Sequence, residues 1–116
     1  MNDFDIPIVK RCCDLYKIFH EYRRIIPKQD RYTIFERSEN VIVDVIESLL
    51  LAGQTQPAGK TAILERASVK LNLLRFLIRL LKEVRAIDTK KYTILQENIN
   101  EIGRMLGGWI RSSNMK

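Results

Sequence analysis

Four stretches of the chain repeat apolar residues at helical spacing, and the third of them carries more apolar surface than a single neighbour can cover. Wound at about 100° per residue, Lys60 to Arg85 stacks Leu64, Ala67, Leu71, Leu74, Ile78 and Leu81 on one side. Leu73, Phe76, Leu77, Leu80 and Val84 fall beside them. An ordinary surface helix needs a stripe about 100° wide, whereas this one is apolar around roughly two thirds of its circumference. It is therefore expected to satisfy more than one partner. The other stretches are narrower. Val9, Cys12, Tyr16, Phe19 and, after a skipped turn, Ile26 form a seam supported by Leu15 and Tyr22, and Pro27 stops that helix. Ile34, Arg37 or Ser38, Val41, Ile42, Val45, Ile46 and Leu49 keep the same phase in the second stretch. Its β-branched run has strand propensity, but Asp44 and Glu47 fall opposite the apolar row, so period decides for helix. Tyr92, Leu95, Ile99, Ile102, Leu106 and Trp109 alternate steps of three and four in the last stretch.

The stop and start signals agree with these periods. Asp5 and Asp30 stand where the first two helices need caps, and Asp88 with Thr89 precedes the fourth. Gly53 ends the second helix, and Q-T-Q-P-A-G reads as the loop to the third. Predicted helices at about 6–25, 32–52, 60–86 and 90–112, joined by short links, make one all-α domain over residues 1–116. The expected architecture is an up-down-up-down four-helix bundle.

Gly103 and Gly107 lie four apart inside the last helical pattern, with Gly108 next to them. Each costs about 1 kcal/mol relative to Ala in a helix interior. Two readings account for them. Gly107 and Gly108 end the helix and leave Trp109 in a tail, or Gly103 and Gly107 admit a close neighbour while Trp109 stays in phase with the core. The second reading, together with the excess apolar flank at Leu73, Leu77 and Leu80, predicts an oligomer.

Composition excludes several classes. With 46% apolar and 29% charged residues, 116 residues suffice for a core without staples. No apolar run approaches the length of a membrane span, and the start has no signal-peptide pattern, so a cytoplasmic protein without a membrane partner is expected. Cys12 and Cys13 are adjacent and lack further ligands, which fits reduced packing residues. His20 is the single histidine and has no E-x-x-H partner, so no metal, cofactor or catalytic residue is assigned. No phosphate-binding glycine loop or nucleophile elbow occurs either.

Charge changes the picture most. The net charge is +6, and its distribution is uneven. Eight cationic residues face nine acidic ones in 1–59, seven face two in 60–86, and five face three in 87–116. Arg75, Arg79 and Lys82 recur on one face over about 10 Å of helix, enough for roughly two phosphates. With no aromatic residue in that stripe, binding to nucleic-acid backbone without base readout is expected. A solvated helix face is the alternative. Arg23, Arg24, Lys28 and Arg31 form a second cluster that Glu21 and Asp30 dilute, which reads as capping and solvation.

Three segments carry a family resemblance: R-Y-T-I-F-E-R at 31–37, L-N-L-L-R-F-L-I-R-L-L-K-E at 71–83 and E-I-G-R-M-L-G-G-W-I at 101–110. They resemble the accessory variability determinant proteins of diversity-generating retroelements, within a wider four-helix family that includes proteins encoded in intervening sequences of bacterial 23S ribosomal RNA genes. The resemblance implies a homopentameric, barrel-like ring that binds RNA, or DNA, and associates with the element's reverse transcriptase. It further implies support of mutagenic cDNA synthesis, with catalysis left to the polymerase. By motif, Arg75, Arg79 and Arg104 are implied as binding positions, and Gly103, Gly107 and Trp109 as structural ones. The alternative is a structural protein-interaction bundle without a nucleic-acid role.

Overall fold

Helix formation follows the apolar period closely enough that the described residues, 6–114 of a computed structural model, contain helices and turns and no strand. Four long helices run α1 Pro7–Tyr22, α2 Glu36–Gly53, α3 Pro57–Glu83 and α4 Thr89–Asn114. Each packs on its neighbours in the chain and α1 closes against α4, the arrangement of a four-helix bundle, in an elongated body of 46 × 24 × 21 Å. The core is continuous from Val9 and Phe19 through Val45 and Leu49 to Leu74, Leu81, Ile99 and Leu106. Phe19, near the end of α1, and Phe35, just ahead of α2, stack with ring centroids 4.2 Å apart and both side chains fully buried.

Three helix ends depart from expectation for local reasons. The segment after Pro27 re-enters helix at once, with one α turn at Lys28–Asp30 and a π-helical turn at Arg31–Phe35 ahead of α2. Pro27 therefore occupies the cap position, and Asp30 lies inside the first turn and caps nothing. The π turn rephases the seam so that Ser38, not Arg37, faces inward. Ser38 satisfies its buried hydroxyl by donating to the Ile34 carbonyl at 2.7 Å. Next, α3 begins at Pro57 and not at Lys60, because proline needs no amide partner in a first turn, so the P-A-G segment is helical. Asp5, expected to cap α1, lies outside the described residues.

The third departure is at the end of α3. The helix stops at Glu83 because Arg85 adopts a left-handed conformation with φ 64°. Ala86 N–H donates to Leu81 O at 2.8 Å and Arg85 N–H to Lys82 O at 2.9 Å, the paired bonds of a Schellman turn, with Ala86 and Leu81 both buried. Asp88 then behaves as its sequence position requires. Its Oδ1 accepts the Lys91 amide at 2.8 Å and caps α4. The cysteines pack as expected: Cys12 is buried, which pushes its thiol up to about 12, with Cys13 adding to the shift, and both are free.

Two stability measurements follow. Glycine carries no Cβ penalty in the left-handed region but loses more entropy on folding, so Arg85→Gly should raise stability by about 0.5 kcal/mol in urea unfolding; destabilisation would mean that Arg85 contributes contacts outweighing its strain. The Asp88 carboxyl is held below its ordinary range, first by the Lys91 amide bond. A depressed folded pKa places this stabilisation above the unfolded value of 3.8, and it is lost as pH falls through the folded one. The deficit in Tm of Asp88→Ala relative to the parent should be full near neutrality and should shrink as pH drops below 3.8.

Candidate nucleic-acid interface

The outer seam between α3 and α4 opens into a groove of about 610 Å³. From α3 it is lined by Asn72, Arg75, Phe76 and Arg79, and from α4 by Tyr92, Thr93, Gln96, Glu97 and Asn100. Two of the three cations of the expected stripe thus line one concave surface, and Lys82 flanks it, with Nζ 4.6 Å from the centre of the Tyr92 ring.

These cations are not equivalent. Arg75 is half-buried and is fixed between the helices: Nη1 donates to Asn72 Oδ1 at 2.6 Å and Nε to Asn100 Oδ1 at 3.2 Å. Its own carbonyl accepts Gln96 Nε2 at 3.2 Å. Arg79 is exposed and pairs with Glu83 one turn on, Nε to Oε2 at 3.1 Å. A pair this exposed contributes between about 0 and 1 kcal/mol and is screened by salt, so a phosphate can compete for the guanidinium. Arg104 lies on α4 outside the groove and is gripped by Glu101. That hydrogen bond pushes Arg104 up and is the main cause holding the Glu101 carboxyl below its usual range. Of the four, Arg75 is held by neutral amides and Lys82 by a ring face, Arg79 has an exposed carboxylate beside it, and Arg104 is paired most closely.

One expectation is corrected. Sequence placed no aromatic residue in the cationic stripe, yet Phe76 is 55% exposed and lines the groove beside Arg75 and Arg79, with Tyr92 opposite. The helical wheel assigned Phe76 to the apolar flank, and α4 covers only part of that flank. Leu77 is buried within the chain, while Leu73 and Leu80 are half-buried against the core.

The glycines separate as well. Helix α4 continues through Gly107 and Gly108 to Asn114, which removes the reading in which they end it, and Trp109 is half-buried against the core. The close neighbour of Gly103 is a side chain: a Cβ there would sit 2.5 Å from Arg75 Nη2 and 3.5 Å from Leu71. Gly103 thus makes room for the Arg75 guanidinium. Among the described residues nothing demands glycine at 107 or 108, where a Cβ would meet only the Arg111 side chain of the same helix at 3.5 Å or more.

The second cationic cluster is partly neutralised. Arg23 pairs with Glu39 at 3.1 Å and lies 5.3 Å from the Tyr32 ring centre, and Arg24 pairs with Glu21 at 2.7 Å. Arg31 donates to the Ile26 carbonyl at 3.0 Å. His20 sits at the edge, 3.5 Å from Glu39. Among the described residues no group of His, Cys, Asp and Glu is placed to hold a metal ion, and no helix is long and apolar enough to cross a membrane.

Fold and groove together define an all-α protein of the four-helix type that presents cations, amides and an aromatic ring along one helix seam. The family model described as bAvd-like matches residues 6–113, and the chain belongs to that family. The resemblance to accessory variability determinants read from the three motifs is borne out by this match, and the family is of an accessory, non-catalytic type. A comparison with curated proteins gives no match.

Gly103→Ala tests the Arg75 assignment. Removing a helix glycine favours folding by about 1 kcal/mol, and the guanidinium, as the end of a flexible side chain, can yield. The variant should be at least as stable as the parent, while the Arg75 Nε–H exchanges faster with solvent in NMR than it does in the parent. A stable variant with unchanged Arg75 exchange would refute the role given to Gly103.

Proposed function

We propose that this chain is a nucleic-acid-binding accessory protein that associates with a retroelement reverse transcriptase and its template RNA and supports mutagenic cDNA synthesis, contributing binding and positioning. The observation that carries this reading is the α3–α4 groove of a bAvd-like chain, where Arg79 and Lys82 stand exposed with only weak competitors for their charge. Phosphates fit that chemistry because they replace a screened carboxylate or a ring face with a stronger, doubly accepting partner. One groove is a weak site. A ring-like homo-oligomer, a pentamer on the family resemblance, would repeat it and multiply the affinity. The exposed Val69, and Gly107 and Gly108, where a Cβ would meet only the end of the Arg111 side chain at 3.5 Å or more, support such an assembly. The working compartment is the cytoplasm, where template RNA and polymerase meet.

A second reading is favoured by a different observation. Arg79 and Arg104 both already pair with acidic residues of their own helices, as they would in a structural interaction bundle that meets carboxylates of a partner protein.

Binding of a structured RNA as a function of salt separates the two. Each phosphate contact contributes about 0.7 to 0.9 to the slope of log affinity against log salt. Arg79→Gln with Lys82→Gln should lower that slope by about 1.5 while light scattering shows an unchanged assembly. An unaltered slope with a changed assembly, or no RNA binding by the parent at low salt, would favour the structural reading.

A further inference from the structure

Arg75 fixes more than itself. An arginine side chain only donates, so the two asparagines that hold it must turn their amide oxygens inward, and both keep their NH2 groups as donors. A backbone carbonyl only accepts, so Gln96 must turn an N–H to the Arg75 carbonyl and keeps Oε1 as an acceptor. The groove therefore carries a preset hydrogen-bonding pattern at one end. Charge is arranged along its length. The Lys82–Tyr92 and Arg75–Asn100 contacts set the antiparallel register of α3 and α4, so Arg79 and Lys82 stand at one end and Asn72 and Asn100 at the other. Phe76 lies between them on α3, half-exposed.

From Asn72 to Arg79 is seven residues, about 10.5 Å along the helix. That is room for one nucleotide from its phosphate to the far edge of its base. The groove, about 610 Å³ and open to solvent, has room for a ligand of that size without enclosing it. Glu97 lines the middle of the groove, so the cations Arg79 and Lys82, and not the carboxylate, define where a phosphate is held.

We infer that the α3–α4 groove takes a single unpaired nucleotide of a bound RNA, with its base stacked on Phe76, its polar edge against Asn72, Asn100 and Gln96, and its phosphate on Arg79. This deepens the nucleic-acid reading above and rests on it. Phosphate contacts alone bind strand and duplex alike, whereas a stacked base must leave the helix. The groove thus selects single-stranded segments of a template over its stems.

The test uses the full chain and a fluorescently labelled, unstructured RNA oligonucleotide, compared with the same strand annealed to its complement. The parent should bind the single strand about tenfold more tightly than the duplex at equal salt. Phe76→Ala should remove about tenfold of the single-strand affinity and most of that preference, leaving the salt slope unchanged, and Phe76→Tyr should restore it. Equal affinity for strand and duplex, or a Phe76→Ala variant that binds the single strand like the parent, overturns the base site while leaving phosphate binding standing. Loss of assembly in Phe76→Ala, restored by Phe76→Tyr only together with the oligomer, assigns Phe76 to contacts between copies and also overturns it. No binding of either RNA by the parent instead removes the nucleic-acid reading itself.

Discussion

Burial of the broad apolar face of α3 between α2 and α4 is the constraint on which the rest of the molecule depends. Leu64, Leu71, Leu74, Ile78 and Leu81 are almost wholly removed from water, and each contributes about 1.5–3 kcal/mol of transfer free energy. No other helix makes such extensive contact on two sides. Because α3 must serve α2 and α4 together, its apolar surface extends past what either covers, and Phe76 is left at the mouth of the α3–α4 seam. The groove is a consequence of the packing geometry of a helix with too wide a face.

Polar groups along that seam then do two things. Arg75 bridges α3 and α4 through amides, a choice that leaves its positive charge in place while Nε and Nη1 each find an acceptor. Gly103 makes this possible by omitting a side chain where the guanidinium lies. Arg79 and Lys82, one and two turns further on, are held only by an exposed carboxylate and a ring face. Rigidity at one end and available charge at the other come from the same helix.

Much of this was legible in the sequence, and the failures are instructive. Apolar period alone located all four helices, and Asp88 caps α4 as its position required. Period fixes phase but not neighbours, so it places Phe76 on the apolar flank of α3 without saying whether that flank is covered. Asp30 resembled a cap because its residue type is right; only the immediate return to helix after Pro27 displaces it. Arg85 gave no signal at all, since a left-handed cap is ordinarily glycine and the chain places an arginine there. Glycines 103 and 107 share a spacing yet differ in role, because only Gly103 faces a side chain of the neighbouring helix. Arg75 and Arg79, one turn apart, likewise look alike in sequence and are separated by what α4 puts opposite each.

The central claim is that ligand enters at the α3–α4 groove. Side-chain chemical-shift mapping of the isotope-labelled full chain, titrated with an unstructured RNA, tests it most directly. The account predicts the largest changes at the Phe76 ring, the Arg79 Nε–H and the Asn72 and Asn100 amides, with the Arg23 and Arg24 signals unmoved. Shifts centred on Arg23, Arg24 and Tyr32, with the groove silent, would contradict it.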